Sequence, residues 1–289
     1  MQQRRVMIIG GALLLAVAAL IAWGVFARRD QSFARLQRAN VIRIGYAVEA
    51  PFAFLEAGEV TGAFPELAKR IADALGIARI EWVQTDFDAL IPALESGRVD
   101  VVAAGLFITK ERAQRVAFSE PAIHVQQGLL VQQGNPRNLH SYQAAASRTD
   151  VSIAVIAGAV EETILRQMGV PDAQIIVVPD ALTGRAAVKS GQAGGLALSA
   201  PTIRWMARRS PQTLTEMAAP FEQPDLPFLT KIGYAAFAVR QADRRLLSAW
   251  NRAMSDLMQR PDYAALITAF GFAEAELPGT ITTAEILAP

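Results

Sequence analysis

The chain has 289 residues, enough for one two-lobed globule or two small domains. It contains no cysteine, which excludes disulfides, zinc–thiolate sites, thiol nucleophiles and a lipid attached to cysteine. The formal net charge is +1, but Arg4, Arg5, Arg28 and Arg29 all precede the first acid; from Asp30 onward 24 basic residues face 27 acidic ones, and a net −3 leaves no basic footprint for nucleic acid.

Between the two arginine pairs runs an uncharged stretch, Val6 to Ala27, of 22 residues, long enough to span a bilayer. It predicts an N-terminal hydrophobic helix, with residues 1–29 serving as a signal peptide or a signal anchor. Val25-Phe26-Ala27 is a poor small-x-small cleavage site, which favours the uncleaved anchor. Either reading puts the rest of the chain outside the cytoplasmic membrane. Residues 30–40 are polar and read as a tether.

Val41 to Tyr46 alternates and is β-branched, so it reads as the first strand. Glu49 to Phe54 is a turn that carries aromatics, and Gly58 to Gly62 a tight connection. Phe64 to Leu75 shows Leu67, Ile71 and Leu75 on one helical stripe with Gly76 as its stop. A strand follows at Arg79 to Val83, a short helix at Ala89 to Ser96, and a third strand from Val99 to Ala104. Gly105 turns the chain, and Thr109 is suited to cap a helix start, its hydroxyl taking an orphan backbone N–H. Arg112 then lies in a first turn that is already partly positive, where an anion would meet free N–H groups and a guanidinium together.

After Pro121 a second run of strands and helices begins. Strands are expected at Gln127–Val131, Ser152–Ile156, Gln174–Val178 and Gly195–Leu198. Helices are expected at Leu139–Ala146, from Glu161 to about Met168, at Leu182–Lys189 and around Thr202–Arg208. Asp180 reads as a helix N-cap. Gly233 to Val239 is a strand that returns the chain to the first unit, and Asp243–Met258 and Tyr263–Phe270 are amphipathic helices.

The alternation of strand and helix implies an α/β fold with parallel sheets and right-handed crossovers. Ligands of such sheets bind beyond the carboxyl ends of the strands. The loops there, 47–54, 85–88 and 105–109, collect Glu49, Phe52, Phe87 and Phe107, with Arg112 just beyond. Phe54 and Phe64 read as core, Trp82, Trp205 and Trp250 as packing, and His124 and His140 as structural or surface residues.

Gly45-Tyr46, Pro51-Phe52, Gly97 to Asp100 and the block Ile108 to Pro121 together resemble the polar amino-acid family of periplasmic solute-binding proteins, over about residues 38–275. The resemblance implies a two-lobed periplasmic-binding-protein fold of type II with two hinge strands. Lobe 1 would be residues 41–121 and 234–289, and lobe 2 residues 122–233. The Arg matching Arg112 holds a ligand carboxylate in that family. Within it, Glu49 to Phe52, Asp86-Phe87, Ala103 to Gly105 with Phe107, Asn135 to Tyr142, Ala157 to Glu162 and Phe270 to Gly279 are similar to the ectoine- and hydroxyectoine-binding proteins of ABC importers.

That subfamily uses an aromatic box, a Glu and the Arg, which match Phe52, Phe87 and Phe107, Glu49 and Arg112. Where general amino-acid binders carry an Asp for the α-ammonium, this chain has Ser199, which favours a delocalised, weakly hydrated cation. Backbone N–H groups around Gly158, Val160 and Glu161 are expected to complete the anion site, with Gly105 and Thr109 bordering it. The resemblance implies a periplasmic, monomeric, non-catalytic protein without cofactor or metal, partnered by an ABC permease. A polar amino-acid or opine binder is the alternative within the class, and a periplasmic dehydratase-like enzyme on the same fold the alternative outside it.

Overall fold

The computed structural model describes residues 30–208, 214–227 and 232–288. The predicted hydrophobic helix from Val6 to Ala27 lies outside the described residues. Among those described, no helix is long and apolar enough to cross a membrane. The stretch read as a tether instead forms helix α1 (Ser32–Ala39), for a tertiary reason. Leu36 is buried in the first core, and Asp30 pairs with Arg245 at 3.3 Å. Asn40 closes the helix at φ 52° while its Oδ1 accepts the Ala78 N–H at 2.7 Å.

The first lobe is built on β1 (Val41–Tyr46), which pairs in parallel with β4 (Arg79–Gln84) on one side and β5 (Val101–Phe107) on the other. Between β1 and β4 lie a hairpin, β2 (Phe54–Glu56) and β3 (Glu59–Thr61), and helix α2 (Ala63–Ala74). The sequence shows that hairpin only as a turn and a connection, because three-residue strands are too short to alternate. Its two-residue loop has Ala57 and Gly58 both at positive φ, 51° and 86°, the twist that suits a hairpin. Helix α3 (Leu90–Glu95) precedes β5, and α4 (Lys110–Ala113) and β6 (Val116–Phe118) follow it.

Strand β7 (Ile123–Gln132) leads into α5 (Tyr142–Ala146), β8 (Ile153–Ile156), α6 (Val160–Gln167), β9 (Ile175–Val178), α7 (Ala181–Ser190), β10 (Gly195–Ser199), α8 (Ala200–Arg208) and β11 (Thr215–Met217). Asp180 caps α7, accepting the Thr183 N–H at 2.7 Å. Strand β12 (Ile232–Arg240) then returns to the first lobe, followed by α9 (Arg244–Met258), α10 (Asp262–Ala269) and α11 (Thr283–Leu287). In α9, Leu246, Ala249, Trp250, Met254 and Leu257 form one buried stripe. Leu246, Trp250, Met254 and Leu257 share a core with Leu67 and Ile71 of α2.

The main sheet runs β4-β1-β5-β12-β7-β10-β8-β9. Two parallel blocks, β4-β1-β5 and β10-β8-β9, are thus joined through the two long antiparallel strands. Ile232–Ala235 of β12 pair with β7, and residues 235–240 pair with β5 and β6; Gln127–Val131 of β7 pair with β10. Each block has its first strand in the middle, so each has a switch point, at β1 and at β8, where a crevice opens beyond the strand ends.

At the opposite end of β5, Asp100 is 1% exposed and accepts from Arg43 Nε and Nη2 at 3.1 and 3.0 Å and from Arg240 Nη2 at 3.1 Å. Burial pushes its carboxyl up, but the bonds from Arg43 and Arg240 outweigh that and hold it below the usual carboxylate value. A depressed folded-state pKa contributes stability above the unfolded value, about 3.9, that is lost as pH falls through the folded one. Asp100→Ala is expected to cost about 1–3 kcal/mol, because Arg43 and Arg240 lose a charge-assisted acceptor, although both are partly exposed and Arg240 keeps Asp243 at 2.7 Å. It should also flatten the acid limb of the stability curve below about pH 4. Urea melts at pH 7 and pH 3 check both effects.

Candidate ligand site

The two switch points face each other across one small cavity of about 20 Å³, room for about one water molecule. Its walls come from the strand ends named above. The loop after β1 supplies Glu49 and Phe52, and the loop after β4 supplies Phe87. The end of β5 and α4 supply Gly105, Phe107 and Arg112. From the second block come Val160 and Glu161 at the start of α6 and Ser199 at the end of β10, with Ala159 and Leu198 beside them. Nine of the residues singled out in the sequence meet here. Thr109 and Gly158 lie one bond away, through Arg112.

Arg112 is held from three sides. Its backbone N–H goes to Thr109 Oγ1 at 3.1 Å, so the threonine hydroxyl is engaged as a helix cap. Its guanidinium donates to Phe107 O at 2.9 Å and, across the cleft, to Gly158 O at 2.8 Å. It lies over the Phe87 ring, with Cζ 5.6 Å from the centroid. Burial brings its pKa down to about 10, against the pull of the Glu161 and Glu111 charges. Both bonded guanidinium edges rest on neutral carbonyls, which a carboxylate would replace with stronger charge-assisted pairs.

Gly158 departs from the expected anion-binding role in this arrangement. It turns its carbonyl toward Arg112, and its N–H is taken by Glu162 Oε2 at 3.1 Å. The reason is local: Gly158 sits at φ 72°, and Glu162, one turn into α6, reaches back to its N–H.

Glu49 Oε1 accepts from Thr202 Oγ1 at 2.7 Å, and Thr202 Oγ1 is 3.1 Å from Ser199 Oγ. Thr202 is the polar partner the sequence did not reveal; its only signal was a place near the start of a predicted helix. Burial raises Glu49 to about 7, with the Thr202 bond pulling the other way. Glu161 is buried, and it is raised to about 8 by that burial and by the Glu49 charge, with Arg112 opposing.

The three rings are not equivalent. Phe52 is 1% exposed and wedged among Phe64, Phe107 and Phe272, with centroids 6.2, 6.3 and 5.2 Å away, so it forms the floor. Phe107 packs on Gly233 of β12, where any Cβ would lie 2.3 Å from its ring. Phe87 is half-buried and carries Arg112. Phe54 and Phe64 are core residues, 7% and 0% exposed. Among the described residues, no group of three His, Asp or Glu side chains could hold a metal ion.

The arrangement puts a guanidinium near one wall and a carboxylate with hydroxyl support near another, with aromatic surface beside both. It suits a small molecule bearing a negative and a positive end. Known proteins agree with that architecture. "Probable amino-acid ABC transporter periplasmic-binding protein y4tE" of Sinorhizobium fredii is 31% identical over 93% of this chain and 87% of its own. The crystal structure of EhuB in complex with hydroxyectoine superposes with a TM-score of 0.82 at 30% identity, covering 89% of this chain and 98% of that one. The ancestral amino-acid-binding protein AncCDT-1, a precursor of cyclohexadienyl dehydratase, gives 0.72 at 26% identity over 83% of this chain and 98% of that one. The model of the bacterial extracellular solute-binding proteins, family 3, matches residues 42–273, and with the two-lobed fold and the inter-lobe cavity this makes the chain a member of that family.

Proposed function

We propose that the chain captures ectoine or hydroxyectoine outside the cytoplasmic membrane and delivers it to an ABC importer. The observation that carries this reading is the pairing of Arg112 and Glu49 in one cavity floored by Phe52 and flanked by Phe87 and Phe107. Ectoine is a cyclic zwitterion with a carboxylate and a ring amidinium. Arg112 takes the carboxylate in a two-pronged fashion. Glu49 accepts from ring N–H groups, and aromatic faces add roughly 0.5–2 kcal/mol each to a desolvated cation. Ser199 in place of an acid favours the delocalised cation over a primary ammonium. The similarity to EhuB supports the same ligand class.

In this reading the chain passes between lobes near Pro121 and Gly233, and the lobes close about β7 and β12 as ligand binds. A permease reads the closed state. The N-terminal apolar segment carries the monomer to the periplasm and, uncleaved, holds it at the membrane. Calorimetric titration with ectoine, hydroxyectoine, proline betaine and a panel of amino acids is the test. Ectoine or hydroxyectoine is expected to bind at least about 100-fold more tightly than glutamine or arginine, a difference of about 2.7 kcal/mol. Preference for an α-amino acid would overturn the ligand assignment and leave the amino-acid or opine alternative.

A second reading has one observation in its favour. Glu49 and Glu161 both face the cleft with raised pKa values, as a general acid and base require. A dehydratase-like enzyme predicts turnover of a bound cyclic acid, which product analysis by NMR detects; the binding-protein reading expects none.

A further inference from the structure

Among the described residues, the cavity brings together two carboxylates and one guanidinium: Glu49 from the loop after β1, Glu161 from the first turn of α6, and Arg112 from α4. With all three ionised, the sum is −1. A zwitterion adds nothing to that sum, so closing the lobes around one would bury an uncompensated negative charge, which is costly in a site shut off from bulk water.

Among the described residues, the surroundings offer no other cation to Glu161. The Tyr142 hydroxyl on α5 donates to Gly128 O at 2.8 Å. From β10 and α8 come the neutral hydroxyls of Ser199 and Thr202, and Thr202 is committed to Glu49. Glu162 turns outward to Arg166 at 2.6 Å. Glu111, beside Arg112, and Asp88, next to Gly158, are exposed acids and add only negative charge.

We propose that Glu161 binds the ligand as a neutral acid: closure on a zwitterion takes one proton from solvent onto Glu161, whose O–H then donates to the ligand carboxylate beside Arg112. Glu161 is the holder because Glu49 accepts the Thr202 hydroxyl, a bond that favours its anion. Glu49 is thereby kept charged to face the ligand cation. A ligand with a second cationic group would close the site without proton uptake, so Glu161 sets a preference by ligand charge that depends on pH. The upward push on Glu161 from burial and from the Glu49 charge agrees with this assignment. The sign follows: opening the cleft to solvent removes the burial that raises Glu161, so its carboxyl stands lower in the open form than in the closed one, and closure takes up a proton between those limits. Zwitterion affinity then falls as pH rises through that window, by up to tenfold per unit.

This inference rests on the cleft being the ligand site, and the experiment separates the two. Ectoine is titrated calorimetrically into the protein at pH 7 in phosphate, imidazole and Tris, whose ionisation enthalpies differ. About one proton is expected to be taken up per ligand bound. In Glu161→Gln, whatever its affinity, uptake should vanish and the pH dependence flatten. Zero uptake by the parent protein, or uptake undiminished in a Glu161→Gln variant with an unchanged melting temperature, overturns the proposal. The parent's proton count decides even where that variant does not fold. Should ectoine give no heat, the ectoine reading fails on its own. The count is then made with whichever zwitterion of the amino-acid panel binds, and the same outcomes decide.

Discussion

Replacing Arg112 by methionine is expected to weaken ectoine binding about 100-fold or more, with little change in melting temperature. Methionine keeps an apolar stem over Phe87 but removes every donor that now reaches Phe107 O and Gly158 O. The ligand carboxylate would then be buried with no counter-charge, and breaking a desolvated charge pair by removing one partner typically costs about 3–5 kcal/mol. At 1.4 kcal/mol per tenfold, that is about two to three and a half orders of magnitude. Lysine restores charge without the planar fork, so Arg112→Lys should fall between the parent and Arg112→Met. Calorimetry with each variant, alongside thermal melts, makes the measurement. Unchanged affinity in Arg112→Met would refute the site.

The second large effect belongs to Gly105. It stands at φ 67° at the edge of the cavity, and a Cβ there would lie 2.2 Å from Cδ1 of Phe52. Phe52 has nowhere to go, since Phe64, Phe107 and Phe272 enclose it. Gly105→Val therefore combines about 1–2 kcal/mol of left-handed backbone strain with about 1–3 kcal/mol of overpacking. It should lower the melting temperature and also the affinity, because the displaced ring is the floor of the site. Trimming that ring in Gly105→Val with Phe52→Leu relieves the overlap but not the strain. The double variant is expected to recover part of the stability lost by Gly105→Val. Strict additivity of the two single effects in a double-mutant cycle would show that the ring does not transmit the damage.

Much of the first lobe's half of the site was legible because the order of strands and helices dictates which loops share a sheet edge. Glu49, Phe87 and Arg112 lie far apart in the chain, yet each follows a strand of one parallel block, and the topology leaves those strand ends together. Ser199 was read from the resemblance instead, at the position where general amino-acid binders carry an Asp, and it stands at the end of β10 on the cavity wall. Thr202 was not legible, since its role depends on how α8 of one lobe meets the loop after β1 of the other. Gly158 was read as an N–H donor from its place at a helix start; the reach of Glu162 and the approach of Arg112 reversed its polarity. The helix α1 was missed because its register is set by Leu36 entering a core and by Asp30 meeting Arg245, neither of which is local.

By itself, then, the sequence determined the α/β class, the order of the main strands and helices, and the chemistry gathered at the strand ends: one guanidinium, one carboxylate and the aromatic rings. Those follow from periodicity and connectivity, which act within a lobe. The tertiary structure decided the contacts: within the first lobe, that Phe52 is floor while Phe87 carries the arginine, and between lobes, that Glu49 is supported by Thr202 and that Glu161 faces the cleft as a second acid. Charge balance across a closing cleft is a sum over both lobes, and no local pattern in the chain encodes it.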